Sequence, residues 1–211
     1  MVASNILSYS LTFEDNGSYE TTREKNLTLN GVAYRVLQIL SENGDSLSGD
    51  FHIALDENGN YAFDVGEGFT LSRFKADIYG HPLIDDLTKE QASATAEDMM
   101  NYLTGSDGFS IVLYGEDAYA PEELEQYGLP KELSKQEILD IASMRYKLNT
   151  NSFQKYMAVT IATNVSESTV AAVMENQSQL QGIDVIEDSV RQYIDDESMG
   201  PVLGYTGRAS A

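Results

Sequence analysis

The alternation of apolar and polar positions marks both ends of the chain as strand. Leu7, Tyr9, Leu11 and Phe13 fall on one side of Ile6 to Phe13, the period of two expected of a half-buried strand. Near the other end, Gly182 opens a stretch in which apolar and polar residues alternate through Ile183, Val185, Ser189 and Arg191 as far as Tyr193. Tyr156 to Ala162 is apolar and β-branched enough for a third strand. Between the ends the period changes. Thr21 with Glu24 forms a capping-box pattern, and Leu29, Ala33, Val36, Leu37 and Leu40 continue it at helical spacing to about Ser41, across a weak point at Asn30-Gly31. Phe51 to Leu55 and Tyr61 to Val65 flank an Asn-Gly turn and predict a hairpin. Helices are predicted at Thr70 to Tyr79, Thr88 to Ala92 and Thr95 to Leu103. Gly105 to Pro130 reads as loop with a turn of helix at Glu122 to Gln126. Ser134 with Glu137 opens a helix whose Ile138, Ile141, Ala142 and Arg145 share a face, and Ser166 caps another that runs to about Glu175.

Long intervals separate the first strand from the last two, which favours one α+β domain over repeated βαβ units. The expectation is a small mixed sheet formed by N-terminal and C-terminal strands, with a large, mostly helical insertion.

Charge narrows the partners. The chain of 211 residues has 34 Asp and Glu against 13 Lys and Arg, a net charge of −21. Phosphate backbones and anionic lipids would repel it, so nucleic acid is excluded as a partner class. With no cysteine there is no disulfide, thiolate metal site or Cys nucleophile. No apolar run approaches the roughly 20 residues that cross a bilayer.

Candidate chemistry is sparse. Ser72-Arg73-Phe74-Lys75 and Ser152-Phe153-Gln154-Lys155 have the Ser-x-x-Lys spacing of a serine acyl-enzyme, but no Lys-Thr-Gly accompanies them. They read as ordinary surface. His52 and His81 have no visible triad or metal partner. Asp56-Glu57-Asn58-Gly59-Asn60 begins like a calcium loop, yet the hairpin turn accounts for the same residues. Asp85-Asp86 and Asp195-Asp196-Glu197 lie in loop-like surroundings, without an apolar pocket to shift a carboxyl pKa. No catalytic residue, cofactor site or metal site is assigned.

Three elements near the C-terminal end carry a resemblance: Leu180-Gln181-Gly182-Ile183-Asp184-Val185, then Arg191-Gln192-Tyr193, then Leu203-Gly204-Tyr205-Thr206-Gly207. In order and spacing they resemble the end of the N-terminal non-catalytic domain, the dimerisation or pedestal domain, of class B penicillin-binding proteins. Where many relatives have Pro after the Tyr, this chain has Ile194. The structural motif carried over is Gly182, Arg191, Tyr193, Gly204, Tyr205 and Gly207; Gly204→Val is expected to destabilise the fold if the backbone there is tight.

The resemblance implies that residues 1–15 and 151–211 form the pedestal core and 16–150 the insertion. It also implies that the chain enters the family pattern at Val2-Ala3-Ser4-Asn5, downstream of a single-pass membrane anchor, and stops before the transpeptidase domain. The fragment would then be non-catalytic and extracytoplasmic. It would position the transpeptidase and meet a SEDS-type glycosyltransferase and other divisome or elongasome components, with a homodimer among the associations the resemblance allows. The competing expectation is a free-standing acidic extracellular ligand-binding module.

Overall fold

The computed structural model describes residues 3–49, 51–150 and 157–193. β1 (Ala3–Phe13) leads into α1 (Thr22–Glu42), the short hairpin of β2 (Ile53–Leu55) and β3 (Tyr61–Phe63), and α2 (Phe69–Ile78). Then come α3 (Lys89–Ser93), α4 (Ala96–Thr104), α5 (Pro121–Gln126) and α6 (Lys135–Thr150), and the chain returns through β4 (Val159–Val165), α7 (Glu167–Glu175) and β5 (Ile183–Tyr193). The α+β class and the small sheet drawn from both ends of the chain are as expected. That sheet has the order β4-β1-β5 with β1 central and antiparallel to both neighbours, where mixed pairing was expected. β4 and β5 therefore run parallel to each other on either side of β1, and α7 connects them.

The capping signals act as local chemistry predicts. Thr21 accepts from the Glu24 N–H, although the Glu24 carboxylate accepts from the Glu20 N–H and leaves that box half closed; Ser134 accepts from the Glu137 N–H, while the Glu137 carboxylate accepts from the Ser134 N–H at 2.7 Å. Thr88 with Gln91 and Thr95 with Asp98 form the same reciprocal boxes at the starts of α3 and α4. Each cap satisfies N–H groups that the first helical turn would leave orphaned, a contribution of about 1 kcal/mol.

Two elements depart from the pattern. α1 runs unbroken through Asn30-Gly31, because both residues are used by tertiary contacts: Asn30 is buried in a polar cluster, and Gly31 leaves room for the Tyr127 carbonyl, which would lie 2.1 Å from a Cβ there. β4 lies three residues further on than predicted and is irregular. Ile161 and Ala162 are adjacent yet both fully buried, the pairing with β1 shifts register twice, and Asn164 has a φ of 54°.

One apolar cluster joins the sheet to the helices. Leu11, Phe13, Ile161 and Ile183 from the sheet pack in the same core as Val36 and Leu40 of α1, Ile141 and Met144 of α6, and Met99 of α4. The hairpin is held on by aromatic edges, with Phe51 against Phe74 at 5.5 Å and against Tyr146 at the same separation.

Candidate functional site

The sequence motif near Gly182 is where the two ends of the chain meet. Gly182 has a φ of +81°, and a Cβ on it would sit 2.0 Å from the Glu14 carbonyl oxygen. Only glycine tolerates both conditions. The close approach is fixed by the Glu14 N–H donating to the Gly182 carbonyl at 2.8 Å. From that point β5 runs back along the whole of β1, from Phe13 opposite Ile183 to Ala3 opposite Tyr193, with Arg191 opposite Asn5. β4 accompanies β1 only from Phe13 back to Tyr9. Beyond Tyr9 the described sheet narrows to a two-stranded arm, and Arg191 and Tyr193 lie on it. Gly204, Tyr205, Gly207 and Ile194 lie outside the described residues.

The competing candidates do not assemble chemistry. Ser72 and Lys75 share α2, but the Lys75 ammonium is buried, donates to the Ala92 carbonyl at 2.8 Å and stacks near the Phe63 ring. Burial pushes its pKa down, as desolvation of a cation must. Its position is that of a structural tether. Ser152 and Lys155 are outside the described residues, as are Asp195, Asp196 and Glu197. His52 lies 3.2 Å from Asp64, across the hairpin, and His81 is bonded to Gln91 at 2.9 Å, in a different part of the fold. Asp56 accepts from the N–H groups of Asn58 and Asn60 at 2.8 Å each, so its oxygen closes the β-turn. Asp85 and Asp86 are exposed. Among the described residues no cluster of His, Asp and Glu has the arrangement of a metal site.

Two polar centres escaped the sequence reading. Arg145 of α6 is buried, with its guanidinium donating to Asn30 Oδ1 at 2.5 Å and Asn26 Oδ1 at 2.8 Å and lying over the Phe109 ring. Desolvation pushes its pKa down to about 10. The same asparagines hold the loop after α4: Asn26 donates to Ser110 Oγ, and Asn30 to the Phe109 carbonyl. One cation thus ties α1, α6 and the loop that begins at Gly105.

At the other end of α1, Asp45 accepts from the Ser166 N–H, the Ser166 hydroxyl and the Thr169 hydroxyl, the last at 2.6 Å, and so caps α7. Burial acts to raise the Asp45 pKa, but those three hydrogen bonds to the charged form outweigh it and the net direction is down. The helical region is therefore bonded to the β4-α7 segment as well as packed on it.

No helix among the described residues is long and apolar enough to cross a membrane. The family model of the penicillin-binding protein dimerisation domain matches residues 1–211. No curated protein matches the chain. Among solved structures it is similar to penicillin-binding protein 2B from Streptococcus pneumoniae (strain 5204), at 13% identity and a TM-score of 0.38, over 92% of this chain and 24% of that one. The chain thus spans about a quarter of that protein's length. A dimerisation domain is the non-catalytic part of such proteins, which are extracytoplasmic and membrane-associated. This chain belongs to the penicillin-binding protein dimerisation domain family.

Proposed function

We propose that the chain is the pedestal of a peptidoglycan transpeptidase, a non-catalytic domain that orients a separate catalytic domain and presents a surface to other proteins of cell-wall synthesis. The observation that carries this reading is the pairing of Ala3–Phe13 with Ile183–Tyr193, which puts the chain's incoming and outgoing strands side by side. A paired ribbon of this kind couples the direction of whatever precedes Ala3 to that of whatever follows Tyr193. The helices then form a lobe hung from that ribbon, available for contact. In this reading residues 1–15 and 151–211 are the core common to the family, 16–150 is the insertion, and Gly182, Arg191, Tyr193, Gly204, Tyr205 and Gly207 are its structural residues. The partners would be a SEDS-type membrane glycosyltransferase and divisome or elongasome components, with self-association a further outcome to measure.

Mass spectrometry after incubation with a fluorescent penicillin tests the division of labour. The expected result is a covalent adduct on the longer protein that contains a transpeptidase domain and none on residues 1–211. An adduct on this chain would overturn the non-catalytic assignment.

A further inference from the structure

A groove of about 640 Å3 separates the C-terminal end of α1 from the N-terminal end of α6. Its floor is apolar, from Tyr34, Leu37, Leu40 and Leu47, and its rim includes the carboxylates of Glu42, Asp45, Glu137 and Asp140. Among the described residues Arg23, Lys25 and Arg73 form ion pairs, and none of these involves a rim carboxylate. Glu42 also sits in the last turn of α1, which contains no basic residue, and the negative end of the helix dipole adds to its field. Asp45 and Glu137 are engaged as helix caps. Among the described residues Asp140 accepts only from Gln136, at 2.9 Å. Burial pushes the Asp140 carboxyl up, the condition of an acid short of a cation.

We propose that this groove docks a cationic amphipathic segment of a partner protein, its apolar side chains on the leucine floor and its Lys or Arg residues against Glu42 and Asp140. The inference rests on the pedestal reading and names the chemistry of one of its contacts. A second copy is opposed by net charge, although its Lys89 and Lys131 are exposed. The chain has a net charge of −21. Arg23, Lys25 and Arg73 are already ion-paired within the chain, and Lys75 and Arg145 are buried. Charge also separates this groove from the cavity of about 490 Å3 between α5 and the start of α6, where Lys131 and Glu132 balance each other beside Ile111, Leu124 and Leu133 and no net charge selects an occupant.

The test uses residues 1–211 and two synthetic amphipathic peptides, one of leucine and lysine and one of leucine and glutamate, followed by fluorescence anisotropy and backbone amide shifts. The lysine peptide should bind, more weakly as salt rises, and shift amides in residues 37–47 and 134–140. Glu42→Lys combined with Asp140→Asn should weaken it about tenfold. Lysine in a C-terminal turn favours the helix dipole and Asn keeps the size of Asp, so this variant is expected to fold, with its thermal midpoint as the check. Asp85→Lys with Asp86→Asn makes the same charge change on a different surface and should alter affinity by less than about twofold. Equal weakening by both pairs, shifts confined to other surfaces, or equal binding of the glutamate peptide would each overturn the groove. Those failures would leave the penicillin result unchanged, whereas an adduct on this chain would overturn the pedestal reading whatever the peptides do.

Discussion

Gly182→Ala is the substitution that probes the junction of the two chain ends. Two costs add. An L-residue held in the left-handed region costs about 1–2 kcal/mol, and Gly182 has a φ of +81°. The new methyl would also lie 2.0 Å from the Glu14 carbonyl oxygen. That neighbour is backbone and cannot rotate away, so the Glu14-to-Gly182 hydrogen bond must lengthen and the start of β5 must shift, at about another 1–3 kcal/mol. The sum is about 3 kcal/mol, a large share of the about 5–15 kcal/mol that holds a domain together. For a chain of this size it corresponds to a fall in thermal midpoint of about 6–12 °C. Gly44→Ala is the internal control, because Gly44 has a φ of +75° but nothing within 4 Å of its would-be Cβ. It carries the first cost alone. Urea titration of both variants, with the slope unchanged, gives the two values directly. If Gly182→Ala is no worse than Gly44→Ala, the close approach contributes nothing and the reasoning fails.

Other outcomes follow from the polar centres. Arg145→Lys should cost about 2–3 kcal/mol in urea titrations, since one ammonium cannot replace a planar fork that reaches both Asn26 and Asn30; a loss under about 0.5 kcal/mol would mean the cluster is dispensable. Asp45→Ala should cost about 1–2 kcal/mol at pH 7 through the lost cap on α7. Because the folded-state pKa of Asp45 is depressed, that stabilisation is complete above the unfolded value near 3.9 and disappears as pH falls through the lower folded value; the thermal midpoints of variant and parent should converge in acid. Asp140 has the opposite sign. Its folded pKa is raised, so its penalty is complete above that value and absent below about 3.9. Asp140→Asn should therefore raise the midpoint at neutral pH and leave it unchanged in acid.

What could be read in the sequence was governed by range. The capping box at Ser134 is chemistry between residues three apart, and Gly182 announces a turn by itself, so each was legible. Asn30-Gly31 looked like a weak point in the helix because propensity is a local quantity. The reasons α1 tolerates the pair lie at Arg145 and Tyr127, roughly a hundred residues further along the chain. Arg145 was placed on the correct face of α6, but nothing in its neighbours indicated that two asparagines of α1 would receive it. β4 was misplaced by three residues because a bulged strand buries adjacent positions and breaks the period of two. The groove rim draws carboxylates from positions 42 and 140, which no sequence spacing relates.

The pairing of Ala3 with Tyr193 also has a mechanical consequence. Tension applied outward at those two residues loads the ribbon like a zipper, one cross-strand pair at a time, whereas pulling along the strands would load every bond together in shear. The arm should open at low force, and opening should slow at Tyr9, where β4 joins and the sheet becomes three strands wide. A tether built this way lengthens under load before the core behind it yields.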